Sequence, residues 1–332
     1  MHIHDDSNEI FLSQLILVAP FVLALIFYFI AVNTSNQKKK QWPFYRILLW
    51  TMGVVCASLS VIGPIADRSH ADFSAHMVGH VLLGMLAPLL MALGAPMTLL
   101  LRALPVRLAR NLTRFLRNRL VNVLHHPIFT SIINVGGLWL LYTTELFSIM
   151  HEHVVLHIFI HLHIFLAGYL FTISIIYIDP IPFQKSFVYR SLVLLTALAA
   201  HSILSKYIYA HPPGNVLATQ AKSGGMIMYY GGDAIEVGLV CILCYQWFRS
   251  TRSSVKWTDI QTSNNRKEMV YMENRHANLT VVGTDIDEVK RLNANSGMSY
   301  NELNEWFAEK YKREGMKDVP SNKFDPNKER EV

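Results

Sequence analysis

Two pairs of histidines stand out by their spacing. His76 and His80 lie one helical turn apart in SAHMVGHVLLGM, and His157 and His161 do the same in HIFIHLHIF. Side chains at i and i+4 project from one helix face, so each pair points two imidazoles in one direction. Neutral imidazole ligates copper, zinc and haem iron, and two such faces turned together present up to four nitrogens. The stretch around the first pair carries no charge from Ala75 to Leu101. A bilayer core offers no hydrogen bonds, so an imidazole there needs a partner inside the protein, and a metal ion is one such partner.

Other residues could join them. His70 precedes the first pair, His151, His153 and His163 surround the second, and His201 and His211 follow in a later apolar run. Asp233 reads as a ligand, a hydrogen-bond partner for a histidine or a proton-path carboxylate, with Glu236 three residues on along the same helix. Met77, Met226 and Met228 add thioethers, which suit Cu(I). His163 is turned about 200° from His161 and reads as structural. His151, His153 and His211 lie near water, as loop residues or a low-affinity way in. Cys241 and Cys244 have CxxC spacing, but inside an apolar helix they read as packing.

The elements that must position these groups are membrane helices. The 332-residue chain is 52% hydrophobic and only 16% charged, with a mean hydropathy of +0.26, which points to an integral membrane protein. Three cysteines in apolar runs exclude a disulfide framework. The pI near 9.1 reflects basic residues beside apolar runs, a topology signal and not a nucleic-acid surface. Seven apolar stretches approach the roughly 20 residues of a crossing: 11–32, 44–64, 75–93, 128–146, 154–178, 187–209 and 224–248. The predicted class is an all-α polytopic membrane bundle of about seven helices over 1–250, with a small polar, soluble tail over 251–332. In the tail, TDIDEVKRLNANSGMSYNELNEWFAEKY reads as two short helices, with Gly297 ending the first and Ser299 with Glu302 capping the second.

Basic residues set the orientation. Lys38, Lys39, Lys40, Arg46, Arg102, Arg107, Arg110, Arg114, Arg117, Arg119, Lys185 and Arg190 fall in alternate connections, whereas the others hold only Arg68, Lys206 and Lys222. The positive-inside rule then places the N-terminus outside and the tail in the cytoplasm. The segment PVRLARNLTRFLRNRLVNVLHHP reads as one amphipathic helix on the cytoplasmic surface, attracted to anionic lipid. Counted from the outer ends of their helices, His80, His161, His201 and Asp233 lie about 7, 10, 12 and 14 Å deep. Ionisable groups gathered in one leaflet usually face the bundle interior and mark a functional site.

The same residues carry a family likeness. AHMVGHVLLGMLAPLLMALGAPMTLLLRALP resembles the signature of the CtaG-type cytochrome c oxidase assembly factors, with an HMxxH pair, an apolar run and a GAP element leading to LLRALP. HIFIHLHIFLAGYLF and KSGGMIMYYGGD are similar to two further segments of that family, and the likeness covers roughly residues 10–250. It implies a polytopic protein of the bacterial cell membrane that helps mature a haem–copper cytochrome c oxidase by binding copper, as Cu(I), and supplying it to an oxidase subunit. By that resemblance His76, His80, His157 and His161 are the expected ligands.

The residues leave competing readings. Facing histidines can also ligate haem b axially. A metal-free scaffold would bond the histidines to one another. Copper import would need a matching ligand set in the inner leaflet, where none is seen. No nucleotide loop or nucleophile elbow points to an enzyme.

Overall fold

A computed structural model describes residues 3–69, 71–181, 183–273, 284–295, 297 and 300–313. The structure is helical, with no strand elements among the described residues. His70 and the Ser299 cap lie outside them. Contacts divide the chain into a unit over 1–251 and a second over 252–332. In the second unit Ile286–Asn295 and Tyr300–Arg313 are helical. The Asp285 side chain accepts from the N–H groups of Asp287 and Glu288, capping the first of these helices. Gly297 takes a positive φ of 78°.

Among the described residues six helices are long and apolar enough to cross a membrane. They are Gln14–Lys38, Phe44–Val61, Phe73–Leu93, Val154–Ile175, Phe187–Ala210 and Ala218–Arg252, here the first, second, third, fifth, sixth and seventh spans. The predicted fourth crossing is broken instead of continuous. Pro127–Thr143 bends by 80° into a short arm, Leu146–Glu152, so seven spans result only if this pair counts as one. Thr144 is the reason. Its backbone is extended, and its hydroxyl bonds back to the Leu140 carbonyl while accepting from Leu146 N–H, which satisfies both helix ends at the corner. The predicted single amphipathic helix is also two, Val106–Leu116 and Arg119–Leu124, divided where the Asn118 side chain caps the second. Neither buries a residue. Cys241 and Cys244 are exposed on the seventh span and not packed within the bundle.

The third span is the centre of the bundle. Its apolar window is 61% buried, against 22–33% for the other five. A central helix needs small residues where its neighbours cross. Gly53 of the second span stands where a Cβ would lie 2.6 Å from Met91 Cγ, and Gly168 of the fifth span stands where a Cβ would collide with the Gly84 carbonyl oxygen. The glycine hydrogen in that position points at the oxygen, a Cα–H···O approach of the kind that supports close helix crossings. Around this contact the third span leaves regular α geometry. Pro88 has no N–H for the Gly84 carbonyl four residues back, and over Leu82–Leu86 the ladder widens to i→i+5, as in the bond from Ala87 N to Leu82 O.

Two further devices fix the framework. The helix Pro96–Ala103 after the third span starts with proline at its first turn, and Asp179 from the far end of the fifth span caps it. The Asp179 carboxylate accepts from Met97 N at 3.0 Å, Thr98 N at 2.7 Å and the Thr98 hydroxyl. On the first span, the Tyr28 hydroxyl donates to Gly94 O and accepts from Trp42 Nε1. Each bond satisfies a group that lipid could not.

Of the Gly136–Gly137 pair in the fourth helix, only Gly137 admits a neighbour, since a Cβ there would stand 2.6 Å from His163 Nε2. His163 therefore packs away from His161, as its rotation predicted. The glycine crossing sets a clear contrast for measurement. G168A is expected to lower the thermal midpoint in detergent by an overpacking cost of about 1–3 kcal/mol. G136A, whose Cβ would meet only Ile132 Cγ2 at 3.9 Å, is expected to leave it unchanged or slightly raised.

Candidate functional site

The central helix carries His76 and His80 into the densest part of the bundle, where each is 5% exposed. The rings that meet them come from four other elements. His76 Nε2 and the Tyr142 hydroxyl of the broken fourth helix share a hydrogen bond of 3.2 Å. The His161 ring of the fifth span stands 6.2 Å from that of His76, nearly perpendicular to it, and the His151 ring of the short arm stands 6.1 Å away. Phe147 of the same arm packs edge-on against His76 at 5.1 Å and against His151 at 4.7 Å. The 80° bend is thus what brings His151 over His76.

Local bonds also choose ring tautomers. His161 Nδ1 donates to the His157 carbonyl at 2.9 Å, and His151 Nδ1 donates to the Phe147 carbonyl at 2.9 Å. In a neutral ring this leaves the lone pair on Nε2, the farther nitrogen and the one a metal takes when Nδ1 is held this way. The His157 and His161 rings lie 4.1 Å apart, tilted by 34°.

Deeper along the central helix, His80 faces the Tyr142 ring at 6.2 Å and the His201 ring of the sixth span at 6.5 Å. Glu236 of the seventh span, 6% exposed, sets Oε1 3.0 Å from His201 Nδ1. That contact is close but lacks the direction of a hydrogen bond, and neither ring nitrogen of His80 or His201 has a hydrogen-bond partner among the described residues. Two glycines make the room. Cβ atoms on Gly84 and Gly232 would stand 3.4 Å from His80 Cε1 and 2.5 Å from His201 Cε1.

The expected residues divide accordingly. His76, His80, His161 and His201 are gathered, with His157 beside His161. Asp233 is half-buried, and it is Glu236, one turn on, that reaches His201. Met77 and Met228 are fully buried among Phe73, Leu204, Ile208 and other apolar side chains, whereas Met226 is 47% exposed. His153 is exposed at the start of the fifth span, where it ends the short arm. The sequence reading missed Tyr142, because a single tyrosine in an apolar run carries no spacing signal. It also left His151 in a loop, because the bend that folds it inward depends on Thr144. Among the described residues no three His, Cys, Asp or Glu side chains stand close enough to enclose an ion as they are.

Residues 26–250 match the sequence profile of the family described as "Cytochrome c oxidase caa3 assembly factor (Caa3_CtaG)". The chain belongs to this family. The matched region contains every histidine of the cluster, and the family's role is in cytochrome c oxidase assembly. Among curated proteins, the uncharacterized protein Mb0105 of Mycobacterium bovis is 33% identical over 226 residues, covering 65% of this chain and 32% of its own. The uncharacterized protein ML1998 of Mycobacterium leprae is 32% identical over 267 residues, 74% of this chain and 38% of its own. The chain thus spans about a third of the length of these relatives. No solved structure matches.

The His76–Tyr142 bond gives this assembly-factor fold its own test. Y142F strands a buried ring nitrogen, and the expected cost is about 1–3 kcal/mol, read as a lower thermal midpoint of the purified protein.

Proposed function

We propose that this assembly factor binds copper at the histidine cluster and delivers it to a cytochrome c oxidase subunit, acting as a carrier and not as an enzyme. In this reading the cluster lies on the outer side of a bacterial cell membrane, the N-terminus is outside and the C-terminus is in the cytoplasm, as the distribution of Lys and Arg supports. The observation that carries the proposal is the approach of His161 to the buried His76, ring centre to ring centre 6.2 Å. An ion held by two imidazole nitrogens at about 2 Å each separates the ring centres by about 5–6 Å. The cluster is close to that spacing without being closed around a point. An open set of imidazoles suits a cargo that must leave again.

His76, His80, His157 and His161 are the ligands in this proposal, with His201 and the exposed His151 beside them. Cu(I) accepts few ligands and tolerates imidazole, so it can pass from one pair to the next by stepwise exchange. His151 is the group placed to meet copper arriving from water. The bonds at Nδ1 of His151 and His161 place the lone pair of each neutral ring on Nε2. Haem b is the less favoured occupant, because the space against His80 and His201 is only about 30 Å³.

The test is made in cells and on purified protein. H76A/H80A is expected to abolish assembly of copper-replete oxidase while the variant still reaches the membrane. Normal oxidase in that strain would overturn the proposal and favour a metal-free scaffold. Purified wild type is expected to retain Cu(I) with no Soret band, and a Soret band that shifts on reduction would favour haem.

A further inference from the structure

Along the copper path of His76, His157, His161 and His80, the upper three can hold an ion alone, which leaves the groups around His80 at the deep end unexplained. His80 and His201 are 5% and 4% exposed, and neither ring has a hydrogen-bond partner among the described residues. Glu236 is buried beside His201, and among the described residues no Lys or Arg pairs with it. A carboxylate buried without a cation is costly, and so are imidazoles without partners. All three side chains, with Asn134, line one cavity of about 30 Å³. A space of about 10–15 Å³ already admits a water molecule, so this one has room for an ion or a water but for nothing larger.

We propose that this cavity is a second ion position, in which Glu236, His201 and His80 hold a divalent transition-metal ion beneath the imidazole-only position at His76. The inference deepens the copper reading and rests on it for the way the ion arrives. The two positions differ in chemistry. The upper one offers neutral imidazoles and suits Cu(I). The lower adds a carboxylate oxygen, a hard anionic donor, which favours an ion that arrives already divalent, such as Zn(II), and supplies the negative charge it needs. As they stand, the three side chains do not close on one point. The adjustment falls on His80, which has no hydrogen bond to break and whose neighbour Gly84 has no side chain to obstruct it.

The pair of positions makes copper and zinc separable. Full-length protein in detergent is loaded with Zn(II), or anaerobically with Cu(I), and the retained metal is measured by mass spectrometry after desalting. Wild type is expected to retain one Zn(II) per chain. E236Q, which keeps the shape of the side chain, is expected to weaken Zn(II) at least tenfold while retaining Cu(I), and H201Q to do the same by removing a different ligand. H157A/H161A is expected to show the reverse, losing Cu(I) and keeping Zn(II). Wild type that retains no Zn(II), or Zn(II) binding unchanged in both E236Q and H201Q, overturns the second position, and the wild-type arm decides this even if a variant fails to fold. Wild type that retains no Cu(I) overturns the copper reading instead, so the two failures are distinct.

Discussion

The structure depends on one close crossing, where Gly168 of the fifth span rests against the Gly84 carbonyl of the third. Helices in lipid gain little from hydrophobic contrast, so they must associate through backbone proximity and internal hydrogen bonds. This crossing pins the helix that carries His76 and His80 against the helix that carries His157 and His161. The same stretch departs from α geometry at Leu82–Leu86, immediately after His80. A wider ladder there turns the following helix relative to the preceding one, so the histidine face and the apolar packing face need not share one regular periodicity.

Around that crossing the protein concentrates its unusual polar groups. Elsewhere in the bundle, the buried Thr130 and Ser174 hydroxyls simply bond to each other at 2.8 Å. At the cluster, imidazoles come from separate helices and meet one another, a tyrosine and a carboxylate. Such groups cost free energy in a dry interior unless something completes their coordination. The lipid-facing surfaces, by contrast, are built from exposed Leu, Ile, Val and Phe, which need no such completion.

Much of this was legible in the residues. Apolar runs of about 20 residues fix the spans because the bilayer's thickness does, and i,i+4 spacing fixes a shared face because the helical repeat does. That each pair shares one face, and that His163 is turned off the face of His161, followed from those rules alone. The fourth crossing was not legible as it is, because its break rests on one Thr144 hydroxyl serving two helix ends. Its consequence, His151 folded back over His76, was therefore hidden as well.

Which helices exist, which faces carry nitrogen and that basic residues gather in alternate connections were written in the chain, since all of these are properties of a single segment in a layered solvent. Only the tertiary structure decided which faces meet. It selected Glu236 over Asp233 as the neighbour of His201, enlisted Tyr142 for His76 and set Met226 on the surface. Those choices depend on how far each helix is rotated against its neighbours. That rotation is fixed by backbone contacts between segments distant in sequence, such as Gly84 with Gly168, which no local pattern records.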